Sequence, residues 1–344
     1  MAGTTGAFAS VVFVCAIAVG PTLSESTSER YEYTHPAMGT QALIVLYARD
    51  ADEARAAADA AFARIDALDR TLSDYREDSE LMRLSRRSGG GPVAVSDDLF
   101  RVLRASRQMF DRTGGAFDAT VGPLSLLWRR ARRLGEMPDA GSVAVARALV
   151  GGDRLTIDEA HRTVTLATAG MRLDLGGIAK GFAADEATRV LAHAGVVSSL
   201  VALGGDIRVT APPPEAAAWQ IAVAGVEAGL KAGPTDSLAL RHAAVSTSGD
   251  AEQFIEIGGV RYSHVLDPRR GEPITGRRSA TVVASDATSS DALAKAVVVL
   301  GSAAAMRVVD GIPGAAARLT VSTAAGTEIY ESSRWRASHA HHTP

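Results

Sequence analysis

Cysteine is nearly absent from this chain: Cys15 is the only one in 344 residues. A lone thiol excludes an internal disulfide framework, and its place inside an N-terminal apolar run argues against thiol catalysis. Lysine is almost as scarce. The 36 basic residues include only three lysines, at positions 180, 231 and 295. Aromatic residues make up 5% of the chain, and none is interleaved with the cluster Arg129-Arg130, Arg132-Arg133. That cluster therefore reads as a solvated helix face, and a net charge of −3 gives no support for a nucleic-acid partner. The one sustained apolar run, Ala7 to Gly20, is too short to span a bilayer comfortably.

What is present describes a folded protein. Hydrophobic residues make up 47% and charged residues 22%, enough for an ample core in one large domain or two packed lobes. The apolar run, followed by a Ser/Thr/Glu-rich stretch and with Ala18-Val19-Gly20 as small cleavage-site residues, reads as a targeting segment over residues 1–30. Pro21 and the lack of a preceding basic residue weigh against cleavage there. The expectation is an exported protein, periplasmic or attached to the membrane on its outer side through the N-terminus.

Helical and strand patterns alternate along the remainder, without an internal repeat. Gln41 to Ala48 reads as an apolar strand. Asp50 precedes a helix with apolar positions Ala54, Ala58, Ala61, Phe62, Ile65 and Leu68, and Ser96 caps another that ends at Gly114. Gly258-Gly259 between two alternating runs predicts a hairpin, and a second is expected from Arg318 to Tyr330. Hairpins mixed with helices predict an α+β fold, rich in antiparallel sheet. Residues 31–335 form the expected domain, and 336–344 a tail with no predicted structure.

The densest chemical signal is Leu173-Asp174-Leu175-Gly176-Gly177-Ile178-Ala179-Lys180-Gly181. An apolar strand, a Gly-Gly turn and a helix start would aim backbone N–H groups and the helix dipole at an anion. Asp174 and the rare Lys180 flank that turn. The Gly-x-x-x-x-Gly-Lys and Gly-x-Gly-x-x-Gly orders are missing, which excludes the P-loop and the dinucleotide fingerprint.

Further loaded segments follow in order. They are Pro36-Ala37-Met38-Gly39-Thr40, Leu72-Ser73-Asp74-Tyr75-Arg76, Thr113-Gly114-Gly115-Ala116-Phe117-Asp118-Ala119-Thr120, Leu203-Gly204-Gly205-Asp206, Ser246-Thr247-Ser248-Gly249-Asp250, Tyr262-Ser263-His264-Val265-Leu266-Asp267-Pro268-Arg269 and Asp291-Ala292-Leu293-Ala294. This succession resembles the FAD:protein FMN transferase family, also called the ApbE or thiamine-biosynthesis lipoprotein family, over about residues 33 to 332. The resemblance implies an ApbE-like fold, with two lobes flanking a flavin-nucleotide cleft. It also implies transfer of FMN from FAD to a Thr or Ser hydroxyl of an acceptor protein, with release of AMP. Met38, Tyr75, Ala116, Phe117, Asp118, Asp174, Lys180 and Val265 are then the expected FAD contacts. His264 becomes the expected proton acceptor, with Asp267 and Arg269 beside it. FAD hydrolysis to FMN and AMP, or flavin binding without catalysis, are the alternative activities. No Asp/Ser-Gly-Ala-Thr/Ser acceptor sequence occurs in the chain, so it is not expected to modify itself.

The metal position departs from the family. The resemblance implies Mg²⁺ held by the Gly177 carbonyl and by Asp and Thr spaced as D-x-x-x-T, but Lys295 stands where the threonine belongs. An ammonium cannot ligate Mg²⁺. Lys295 could swing away and leave water or a hydroxyl of Thr288, Ser289 or Ser290 to complete the coordination. It could instead supply the positive charge itself, or form a plain i,i+4 surface pair with Asp291. Altered metal dependence is the expectation.

Overall fold

The computed structural model describes residues 28–223, 236–249, 254–323 and 325–336. Most of the expected targeting segment with Cys15, together with Lys231, Asp250 and the tail carrying His339, His341 and His342, lies outside the described residues. Among the described residues no helix is long and apolar enough to cross a membrane.

The first strand, β1 (Glu29–Ala37), starts slightly before the expected boundary at residue 31. It turns through Met38 and Gly39 into β2 (Thr40–Ala48), the expected apolar strand. Both turn residues have left-handed backbones, φ 50° and 72°, as a two-residue hairpin turn requires. Asp50 accepts from the Glu53 N–H at 2.8 Å and starts α1 (Ala51–Leu72), whose Ala54, Ala58, Ala61, Ile65 and Leu68 are buried as their spacing predicts. After α2 (Glu80–Ser85) and the short β3 (Val93–Ala94), Ser96 caps α3 (Asp97–Thr113), which ends on left-handed Gly114. Helices α4 (Gly122–Leu134) and α5 (Ala140–Ala148) follow, then β4 (Leu155–Asp158) and β5 (Thr163–Leu166).

The second half holds most of the sheet. Helix α6 (Ala179–His193) leads to β6 (Ser199–Leu203), β7 (Asp206–Val209), β8 (Trp219–Val223), β9 (Asp236–Leu240) and β10 (Ala243–Gly249). Next come β11 (Phe254–Ile257), β12 (Val260–Asp267), β13 (Glu272–Thr275) and β14 (Arg278–Ala284). Helices α7 (Ala287–Leu300) and α8 (Ala303–Asp310) and the hairpin β15 (Ala316–Thr323), β16 (Gly326–Glu331) complete the chain. Both hairpins expected from the sequence are formed.

An eight-stranded sheet of order β1-β2-β6-β7-β10-β14-β15-β16 organises these elements, and every neighbouring pair in it is antiparallel. Strand alternation gives each inner strand two apolar faces. Ile44, Leu46, Val201 and Leu203 pack with α1, α6 and α7 in the main core. Val45, Leu200 and Ala202 face the other way, onto Trp219 of β8, Leu238 of β9 and Trp335. The result is an α+β protein with helices on one face of the sheet and a small hairpin on the other. Helices α6 and α7 meet so closely that a Cβ at Gly181 would overlap the Ala287 carbonyl oxygen.

Candidate functional site

Strand tips and helix starts converge at one end of the large sheet. The Met38-Gly39 turn lies beside the β6–β7 turn, where a Cβ on Gly204 would come within 3.3 Å of Thr40 Oγ1. Gly205 accepts from the Thr247 N–H at 3.1 Å, which ties in β10. Asp206 opens β7 at this end and is only 1% exposed. Lys180, in the first turn of α6, forms an ion pair with it. Lys295 of α7 pairs with the fully buried Asp291 and places Nζ 3.9 Å from Asp206 Oδ1. Two ammonium groups and two carboxylates thus form one compact, neutral cluster.

Electrostatics keeps the cluster charged. Burial alone would depress the Lys180 ammonium, yet Asp206 and Asp291 hold it above the ordinary lysine value. Burial would raise the Asp206 carboxyl, and the charges of Lys180 and Lys295 outweigh that and hold it below its ordinary range. Oδ1 of Asp206 makes no hydrogen bond among the described residues and faces Lys295.

The Gly-Gly turn works differently from its sequence reading. Leu173 to Leu175 is not a strand; the only pairing there is an isolated bridge between Arg172 and Val121. The donors of the turn are largely used internally. Gly176 N–H bonds Asp174 Oδ1 at 2.8 Å, Ile178 and Ala179 N–H bond the Leu175 carbonyl, and Gly181 N–H bonds Asp291 Oδ2 at 3.0 Å. Positive charge for an anion therefore comes from lysine side chains more than from backbone amides.

Gly177 is near the cluster as expected: a Cβ there would stand 3.5 Å from Lys295 Cγ and 3.3 Å from the Phe117 ring. The three positions of the implied metal site, Gly177, Asp291 and 295, are therefore adjacent, but their donors are committed. Both Asp291 oxygens are engaged, by Lys295 and by Gly181 N–H. The pair is not a surface salt bridge, because Asp291 is buried and the Lys295 side chain is 17% exposed. Among the described residues no group of three His, Cys, Asp or Glu side chains could hold a metal ion. The residues present do not fit Mg²⁺.

A second cluster was missed in the sequence. Arg129 is not a solvated residue: its guanidinium reaches Asp74, and also Asp174 at 2.9 Å, and stacks 4.3 Å from the centre of the Tyr75 ring. Arg130, Arg132 and Arg133 are exposed as expected. Asp174 is thus held by Arg129 and by its own turn. Burial, then the nearby Asp174 charge, raise the Asp74 carboxyl. Tyr75 is 74% exposed and presents a free ring face on this charged base.

The loop before α4 is built from inside. Thr113 accepts the N–H groups of Ala116 and Phe117 through its carbonyl and hydroxyl oxygens, and both side chains are buried. The Asp118 carboxylate accepts from Thr120 and from the Gly152 N–H at 2.9 Å, so it braces the loop. Burial raises its carboxyl above the ordinary range. Left-handed Gly115 faces Arg269, whose Cγ would be 3.8 Å from a Cβ there.

On β12, Ser263, Val265 and Asp267 are buried while His264 is exposed, so His264 and Asp267 point to opposite faces. His264 lies within a register shift between Tyr262 and Leu266, an irregularity of the kind that re-aims a side chain. Asp267 spends its carboxylate on Arg269 in a two-pronged pair at 2.9 Å. The expected trio is therefore a histidine on one face and an ion pair on the other. Val265 is a core residue.

Comparison with known proteins adds a second line of evidence. The ApbE family model matches residues 38–319. The chain is 32% identical over 321 residues to the FAD:protein FMN transferase of Treponema pallidum (strain Nichols), covering 88% of each chain. It is 32% identical over 267 residues to that of Klebsiella pneumoniae (strain 342), covering 77% of this chain and 81% of the relative. The flavin transferase ApbE from Vibrio cholerae superposes with a TM-score of 0.79 at 29% identity, covering 90% of this chain and 99% of that one. The ApbE protein from Thermotoga maritima gives 0.80 at 29% identity, with coverage of 90% and 99%.

Proposed function

The chain belongs to the ApbE family, and on that premise we propose how its site acts as an FAD:protein FMN transferase. FMN moves from FAD to a Thr or Ser hydroxyl of an acceptor protein. The hydroxyl oxygen forms a bond to the FMN phosphorus, the bridging P–O bond of the pyrophosphate breaks, and AMP leaves with its electron pair. His264 takes the hydroxyl proton on a ring nitrogen. Such a transfer depends chiefly on positioning and on neutralising charge over the phosphates.

The observation that carries this reading is the Lys180–Asp206–Lys295–Asp291 cluster beside the Met38 and Gly204 turns. It places compact positive charge beside Gly-rich turns, the kind of charge that a pyrophosphate needs. The exposed face of Tyr75, backed by Arg129, suits stacking against a planar ring of the nucleotide. In this reading the nucleotide would lie between this end of the sheet and the β11–β13 ribbon that carries His264. The apolar N-terminal run suits export, which would put the reaction outside the cytoplasmic membrane.

The test is incubation of the protein with FAD and a peptide containing Ser-Gly-Ala-Thr. Covalent flavin on the peptide is the expected product. Free FMN without modified peptide would make the protein an FAD hydrolase, and intact FAD would make it a flavin-binding protein.

A further inference from the structure

We propose that the Lys295 ammonium takes the place of a divalent cation in this site, so that FMN transfer by this chain proceeds without metal. The proposal rests on the transferase reading given above.

Charge balance is the first argument. Asp206 and Asp291 contribute two negative charges, and Lys180 and Lys295 two positive ones. The cluster is neutral as it stands. A threonine at 295 would leave one uncompensated buried carboxylate, a deficit that a cation would fill. With lysine there, a divalent ion would have to sit beside two ammonium groups and find oxygen donors that are already engaged. Asp291, the carboxylate closest to hand, gives one oxygen to Lys295 and the other to the Gly181 N–H.

Placement is the second argument. The stem of Lys295 runs past Gly177, where a Cβ would stand 3.5 Å from Lys295 Cγ. This brings Nζ into the corner formed by Asp291, Asp206 and the Gly-Gly turn. An ammonium carries three N–H donors. One is used by Asp291, and Asp206 Oδ1 lies too far away to hold a second firmly. Donors therefore remain for a phosphate oxygen, and Lys180 stands at the other oxygen of the same Asp206 carboxylate. Two of the three lysines in the chain stand at this one place, where a compact point charge is wanted, while arginine serves almost everywhere else.

The experiment uses the full chain stripped with EDTA and two independent readouts. The first is Mn²⁺ titration by calorimetry, with and without FAD. The second is FMN transfer to the Ser-Gly-Ala-Thr peptide, with and without chelator. We expect no stoichiometric Mn²⁺ binding, and transfer in chelator within about twofold of that in Mg²⁺. The Lys295→Thr variant should gain a Mn²⁺ site and become chelator-sensitive. One Mn²⁺ per wild-type chain, or an about tenfold or greater loss of transfer on chelation that Mg²⁺ restores, overturns the proposal. If no peptide is modified under any condition, the transferase reading fails, and the Mn²⁺ titration of the wild-type chain still decides whether Lys295 has displaced the metal.

Discussion

Oδ2 of Asp291 accepts the backbone N–H of Gly181 at 3.0 Å, so a side chain of α7 closes the open first turn of α6. The same carboxylate holds Lys295 through its other oxygen. Helix packing and the charged cluster are thereby built on one residue.

Gly181→Ala tests that joint. The added methyl would meet the Ala287 carbonyl and come within 2.8 Å of Asp291 Cβ, both parts of a helix that cannot yield locally. The two helices must separate, at a cost of about 3 kcal/mol. Denaturant unfolding should show the loss. A loss below about 0.5 kcal/mol would mean that the helices are not locked there.

Arg129 is expected to be irreplaceable by lysine. Its planar fork serves Asp74 and Asp174 together and stacks on Tyr75, which a single ammonium cannot do. Arg129→Ala leaves two buried carboxylates without their shared cation, and should destabilise by about 3 kcal/mol. Arg129→Lys should keep part of that stability yet weaken FAD binding, as followed by flavin fluorescence. Equal FAD affinity in Arg129→Lys and the parent would dissociate Tyr75 from the nucleotide.

His264→Ala should separate binding from chemistry. An exposed histidine carries little of the fold, so stability should stay within about 0.5 kcal/mol. Transfer to the peptide should fall by about 100-fold or more, the scale of general base catalysis. FAD affinity should hold. Undiminished transfer in this variant would remove His264 from the mechanism.

Acid stability has an identifiable contributor in Asp98. Its hydrogen bonds with Arg64, at 2.5 and 2.6 Å, hold its carboxyl below the ordinary aspartate range. A depressed carboxyl adds stability above its unfolded value of about 3.9, which is lost as the pH falls through the folded value. Asp98→Asn should cost about 1 kcal/mol at pH 7 and progressively less below about pH 4. A pH-independent difference in melting would assign the effect to packing instead.

Much of this architecture was legible because it is written in short-range rules. Asp50 and Ser96 each precede a helix and each bonds the N–H three residues on. Gly258 and Gly259, at φ 59° and 76°, turn the β11–β12 hairpin as a Gly-Gly pair between alternating runs should. What escaped depends on partners remote in sequence. Arg129 sits in a run of exposed arginines, and its carboxylates lie 55 and 45 residues away. Lys180 meets Asp206 across 26 residues, and nothing local names that partner. Its scarcity was the available signal, since a rare buried lysine needs a carboxylate. The strand expected at Leu173 failed for a related reason: Asp174 gives its N–H to the Ala119 carbonyl, at 2.8 Å, and no ladder forms.

Because Gly181 lets two main chains touch, the helix backbones that carry Lys180 and Lys295 are held at a fixed spacing. In the reading proposed above, the two ammonium groups face the two phosphates of FAD together, whereas FMN and AMP each keep a single phosphate between them. Cleavage of the substrate would then halve the phosphate charge held at this pair.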